Sequence, residues 1–282
     1  MDNTIEIIYQ DHDLAVCRKA PGISVQTSRL GQQDMVSLLR NYFARKGEEN
    51  TQVFVVHRLD QPVEGIMVFA RNKQAAAELS RQSRERSMDK YYLALAEGEF
   101  EKTSGVLENY LLRDGKANTS SVVAAGTPGA KHARLRYEVE KVWKAGESLH
   151  FRDRPVQQPA GAGHACGTTQ QALGYPDKAV SLVHVHLDTG RHHQIRVQMA
   201  YAGHPLLGDR KYNPGCGPGY FPVGLCAVRI AFLHPSTRQE MEFEVKPQGQ
   251  AFSMIAGVQS NTPQQATGHD LACSFRSKGR GI

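Results

Sequence analysis

The stretch VFVVHRLDQPVEGIMVFARNK, residues 53–73, constrains the fold more than any other. Its two apolar runs, Val53–Val56 and Ile66–Ala70, are too short for buried helices. Both are rich in β-branched and aromatic residues, so both read as buried strands. Between them stand His57, Arg58 and Asp60. A lone charge is costly to bury, so a fold that hides both strands must bring a counter-charge to the short loop that carries Asp60.

The flanking sequence supplies partners for these strands. Ile5, Ile7 and Tyr9 alternate, Asp11-His12-Asp13 turns the chain, and Leu14, Val16 and Arg18 follow, which predicts a hairpin. Asp34 is placed to cap a helix with Met35, Leu38, Leu39, Tyr42 and Phe43 on one face, ended by Gly47. A second helix is predicted from Lys73 to about Arg86, and a third strand over Tyr91–Ala96. Strands pair as hairpins as well as alternating with helices. The expected class is α+β, with a mixed, mostly antiparallel sheet flanked by helices and loops. No G-x-G-x-x-G follows a strand and no phosphate-binding G-x-x-x-x-G-K-[ST] occurs, so a nucleotide cofactor has no evident cradle.

Composition narrows the class further. The chain has no run of 18 apolar residues and no basic-then-apolar leader at its N-terminus, which argues against a membrane span or a secretory signal. Its five cysteines are odd in number and form no C-x-x-C pair, which favours reduced thiols and a cytoplasmic location over a disulfide framework or zinc finger. The net charge of +6 is compatible with a polyanionic partner. The Gly/Pro-rich segment 144–178 reads as a loop inserted into one domain spanning 1–250. Residues 251–282 read as a poorly ordered tail.

A second cluster lies in SLVHVHLDTGRHHQIRVQMAYAGHPLLGDRKYN, residues 181–213. Val183, Val185 and Leu187 alternate with His184, His186 and Asp188, as in a half-buried strand. Thr189-Gly190 turns the chain into a helix with Ile195, Met199 and Ala202 on one face, and Arg196 falls off that strip, free to point at a neighbouring site. His184 and His186 resemble a metal-ligand pair, but a third ligand is lacking and Arg191 and Arg196 would repel a cation, so no metal is expected. Arg191, His192, His193, Gln194 and Arg196 read better as donors to phosphates and bases.

Three segments in this order resemble the RluA-type RNA pseudouridine synthase family. HRLDQPVEGIMVFARNK is similar to its catalytic segment, KYYLALAEG to its second, and TGRHHQIRVQMAYAGHPLLGDRKY to its third; IIYQDHDLAVCRKAPG resembles its opening hairpin. The resemblance covers residues 5–250 apart from the inserted loop. It implies the pseudouridine synthase catalytic fold and the isomerisation of uridine within structured RNA, transfer or ribosomal, with no cofactor. It places the catalytic Asp on Asp60, the active-site Tyr on Tyr92 and the basic partner on Arg196. His57, Arg58, Arg191, His193 and Gln194 are the expected substrate-binding residues. Arg58 is a candidate to fill the stack vacated by a flipped base, or to bind a phosphate. Asp60 acts either as nucleophile or as base, and pairing with Arg196 keeps it ionised.

Three positions depart from the family pattern. Val63-Glu64-Gly65 stands for Thr-Ser-Gly, Gln198 for His, and Arg18-Lys19-Ala20 for Asn-Lys-Pro. They bear on substrate choice and loop shape, chiefly through Glu64, read as an added carboxylate near a polyanion. Arg113, Lys116, Lys131, Arg134 and Arg136 flank a Gly/Ser-rich stretch read as a hairpin that grips RNA backbone. The expected protein is a monomer. Its start at the catalytic domain leans toward a transfer RNA or small stem-loop target. Two rival readings are a non-catalytic RNA-binding or chaperone protein on the same fold, and a hydrolase built around a metal at the histidines.

Overall fold

The computed structural model describes residues 5–27, 29, 31–144, 178–216 and 222–253. The inserted segment predicted at 144–178 and the tail predicted from 251 fall almost wholly outside them.

β1 (Glu6–Gln10) and β2 (Leu14–Lys19) form the predicted hairpin. Asp11 makes its turn, with Oδ1 accepting the N–H groups of Asp13 and Leu14, both at 2.8 Å. α1 (Met35–Arg45) begins at Asp34, whose carboxylate accepts the Ser37 N–H while Ser37 Oγ accepts the Asp34 N–H. β3 (Phe54–Val55) is half the predicted length, because the chain bends at Val56 into the loop that carries Asp60. β4 (Glu64–Ala70) is buried along its whole length. α2 (Lys73–Glu85) starts at Asn72, whose Oδ1 accepts the Ala75 N–H at 2.8 Å, and ends at the left-handed Arg86.

β5 (Asp89–Glu97) explains why Tyr91–Ala96 reads as a continuous apolar run. Its residues are buried on both faces, Tyr92, Ala94 and Ala96 in the main core and Leu93 and Leu95 in a second cluster with Trp143, Leu182 and Phe252. β6 (Ser104–Asp114) lies between β7 (Thr119–Val123) and β8 (Lys131–Trp143), antiparallel to both, and forms with β7 the predicted hairpin. β9 (Val180–Leu187) then runs beside β5, and α3 (Gln194–Tyr201) packs against β6 and β7. β10 (Leu225–Leu233), β11 (Glu240–Glu244) and a short α4 (Gln250–Ser253) complete the described elements. Phe252, 1% exposed, packs into the second cluster.

All named strands join one sheet, in the order β1-β2-β4-β10-β5-β9-β8-β6-β7, with β3 beside β4 and β11 beside β10. Every strand pair is antiparallel except β4 with β10, which meet over only two residues, Glu64–Gly65 against Cys226–Ala227. The joint demands glycine. Gly65 has φ +130°, and a Cβ there would lie 2.4 Å from Ala227 N. The loop bearing Asp60 enters the sheet at this joint.

Glu64 does not serve the role read for it in the sequence. It is 4% exposed, and its carboxylate accepts the N–H groups of Gln248 (3.0 Å) and Gly249 (2.9 Å). It anchors the segment before α4 instead of meeting substrate. No helix among the described residues is long and apolar enough to cross a membrane.

Candidate active site

Asp60 opens a turn in which its carbonyl accepts the Val63 N–H at 3.1 Å. The next residue is fixed from behind. Gln61 C=O accepts from Gly22 N–H (2.8 Å) and from Lys19 Nζ (3.0 Å), and Gln61 Nε2 donates to Gly22 C=O (3.0 Å). Lys19 is fully buried and also donates to the carbonyls of Ala20 and Ile23. Burial pulls its pKa down to about 7, while the charges of Asp60 and Glu64 favour the ammonium. Three acceptor carbonyls favour it too, since a neutral amine has only two hydrogens to give.

The counter-charge that the sequence demands is Arg196. Its Nη1 donates to Asp60 Oδ2 at 2.9 Å. Its other two nitrogens grip a second carboxylate, Nε to Asp209 Oδ2 at 2.8 Å and Nη2 to Asp209 Oδ1 at 2.7 Å. Asp209 is fully buried, Arg196 is 4% exposed by side chain, and the Asp60 side chain is 25% exposed. Burial works against the guanidinium charge, but the hydrogen bonds and charge of Asp209 and the charge of Asp60 outweigh it and raise the Arg196 pKa. Two carboxylates thus share one cation, the outer one open to a ligand.

Tyr92 lies on β5 opposite Ala227, and is 6% exposed. Burial and the nearby charge of Asp60 push its phenol pKa well up, so the hydroxyl keeps its proton. Behind Arg196, the Tyr212 ring lies 5.2 Å from the guanidinium carbon. Tyr212 Oη accepts the Ser120 N–H at 2.8 Å and meets His193 Nδ1 at 2.7 Å. His193 Nε2 stands 3.6 Å from Asp60 Oδ2.

The structure therefore brings Asp60, Tyr92, Arg196 and His193 together. It leaves Arg58 exposed on the same loop, with Nη2 donating to Gln26 at 3.3 Å. A cleft of ≈ 580 Å³ beside it is lined by Gln26, Arg40, Asn41 and Phe54. Arg191 is half-buried, with Nε donating to His132 C=O at 2.8 Å.

Two expected substrate contacts turn inward instead. His57 Nε2 accepts the Val68 N–H at 3.0 Å, and burial lowers its pKa to about 3, so it is a neutral brace between the loop and β4. Gln194 is 3% exposed. Its Oε1 accepts from Thr189 Oγ1 and Arg191 N–H, and its Nε2 donates to Arg134 C=O. Both side chains face framework atoms because the loop and the helix start would otherwise carry unpaired buried polar groups.

His184 and His186 go to different carboxylates, Glu140 at 2.7 Å and Asp89 at 2.9 Å. Among the described residues no group of three or more His, Cys, Asp or Glu is arranged to hold a metal. Asp209, Tyr212, Ser120 and Lys19 are site residues without a role in the sequence reading. A buried Arg reaching one exposed carboxylate was the available signal for a further acid, and Asp209 lies in the quoted third segment.

The model for RNA pseudouridylate synthase matches residues 13–201. An RNA pseudouridine synthase of Aquifex aeolicus, itself uncharacterized, is 29% identical over 92% of this chain and 74% of its own length. Ribosomal large subunit pseudouridine synthase C of Vibrio vulnificus is 29% identical over 88% of this chain and 67% of its own. Transfer RNA pseudouridine synthase C of Vibrio parahaemolyticus is 28% identical over 84% of this chain and 88% of its own. The solved structure of human RNA pseudouridylate synthase domain containing 1 superposes with a TM-score of 0.63, at 23% identity, over 86% of this chain and 83% of its own.

Proposed function

The chain belongs to the RNA pseudouridylate synthase family, of the RluA type, and from that premise we propose that Asp60 isomerises uridine in structured RNA at the site just described. The chain is an isomerase of this kind. The reaction breaks the bond between ribose C1′ and uracil N1 and joins C1′ to C5. The proton lost from C5 is balanced by one gained at N1, so no oxidant or group donor is consumed.

The single observation that carries the site assignment is the Asp60–Arg196–Asp209 triad. Arg196 sets its cation 2.9 Å from the half-buried Asp60 carboxylate, a pairing that suits either a nucleophilic or a basic role. Tyr92, protonated and beside Asp60, offers a ring face to the uracil and a hydroxyl for proton transfer. The uridine must leave its stack to reach this depth. Exposed Arg58 and the adjoining cleft are the contacts for the strand around the flipped base, joined by Arg191 and by Arg113 and Lys116 on the β6–β7 hairpin.

Relatives named for ribosomal and for transfer RNA are similarly close, so both RNA classes belong in the test. We further propose a monomer in the cytoplasm; the free thiols of Cys17, Cys216 and Cys226 accord with a reducing compartment.

The experiment is incubation of purified protein with unmodified transfer and ribosomal transcripts in a metal chelator, followed by chromatographic nucleoside analysis. Pseudouridine at a defined site is the expected product. Folded protein that binds these RNAs without forming it, in the chelator and with divalent metal restored, would favour the binding-protein reading.

A further inference from the structure

His193 precedes α3 with a left-handed backbone, φ +54°, uncommon for a residue other than glycine. This conformation turns its imidazole inward, where the residue is 8% exposed. One ring face stacks on His192 at 3.7 Å between centroids, and Tyr212 meets it edge-on.

The hydrogen bonds favour one placement of the ring's proton. Tyr212 Oη accepts from the Ser120 N–H, which directs its own hydrogen to His193 Nδ1. Nδ1 is then the acceptor and Nε2 the protonated nitrogen. Nε2–H faces Asp60 Oδ2, the same oxygen that Arg196 holds. Among the described residues Asp60 Oδ1 has no partner.

Arg196, His192 and Lys211 all lie close enough to disfavour a second cation here. Burial is the largest influence, and together they outweigh the charge of Asp60 and keep the ring neutral, with a pKa lowered to about 4. A neutral N–H can orient a carboxylate without cancelling its charge.

We propose that His193 is a positioning residue for Asp60. Its Nε2–H and Arg196 together hold Oδ2, Oδ1 is left as the oxygen that meets the ribose, and Tyr212 keeps the proton on Nε2. The 3.6 Å gap is longer than a hydrogen bond. It closes when a nucleoside packed against Oδ1 presses the carboxylate toward the ring, as catalytic contacts tighten on substrate loading. The inference rests on the proposed role of Asp60.

The test compares kcat and KM of wild type, Asp60→Asn, His193→Leu, His193→Gln and Tyr212→Phe on one RNA, with melting curves for each. His193→Leu should lower kcat about 30-fold with KM within about threefold, since the lost contact acts on the reacting group. His193→Gln, whose Nε2 can donate from nearly the same place, should recover to within about fivefold of wild type. Tyr212→Phe should lower kcat about fivefold. Nitrogen-15 spectra of the wild type should show a neutral His193 with Nδ1 unprotonated, a signature that packing alone would not set.

A folded His193→Leu with wild-type kcat overturns the inference while leaving the function standing, provided Asp60→Asn is inactive. A folded His193→Gln no faster than His193→Leu, or a proton found on Nδ1, also overturns it. A wild type that forms no pseudouridine on either RNA class overturns the proposed function, and this inference falls with it.

Discussion

Arg196 carries one positive charge against two carboxylates, and the geometry divides it unequally. Asp209 takes two of its nitrogens inside the protein, and Asp60 takes one at the edge of solvent. Asp209 thereby aims Arg196, so Asp209→Asn should misplace the guanidinium that holds Asp60. The expected outcome is a kcat about 100-fold lower with KM little changed, and a stability loss of about 3 kcal/mol in urea unfolding, because a buried charge loses its partner. Normal rate and stability would remove Asp209 from the account. That Asp60, Tyr92 and Arg196 would meet was legible because each stands in one of three resembling segments. Asp209 was not, since its distance from Arg196 crosses a helix end and a turn whose geometry no periodicity specifies. The inward turn of His57 and Gln194 was not legible for a related reason. Polar residues in a functional segment are as often needed to satisfy the local backbone as to touch a ligand.

The two-residue parallel joint between β4 and β10 is the element on which the site's placement depends. Gly65 permits it, Glu64 ties it to the segment before α4, and the Asp60 turn leads directly into it. Gly65→Ala adds a Cβ that backbone atoms of Ala227 already exclude, at a φ that alanine resists. It should cost more than about 3 kcal/mol or prevent folding altogether, as read by soluble yield and melting. A variant that melts like the wild type would contradict the joint. β4 was legible from its apolar run and the helix cap Asp34 from local chemistry, while β10 and the cap Asn72 were not predicted. The joint was not, because it pairs residues some 160 apart in the chain, and Glu64 could be placed only once Gln248 and Gly249 were seen against it.

Across the whole molecule, folding fixes two histidines as neutral groups, His57 between the catalytic loop and β4 and His193 beside Asp60. Burial lowers them to about 3 and about 4 from 6.5. Between those values and 6.5 the unfolded chain binds more protons than the native one. The contribution of these two histidines is therefore full above about pH 6.5 and is lost as pH falls toward 3–4, at up to about 1.4 kcal/mol per pH unit for each. The melting midpoint should fall steadily from pH 6.5 to pH 4; a midpoint that stays flat or rises would contradict the neutral assignment.

The fold class was legible at this scale because short β-rich runs outnumber helical ones. The sheet order was not, since β4, β5, β9 and β10 come together from distant parts of the chain. That convergence brings Asp60, Tyr92 and Arg196 to one point, where Asp60 is proposed to perform the isomerisation. Pseudouridine mapping of total RNA from matched cells expressing wild type or Asp60→Asn tests it most directly. At least one uridine should be modified only with the wild type, with RNA binding by the variant within about tenfold of normal. The same site modified equally by a folded Asp60→Asn would contradict it.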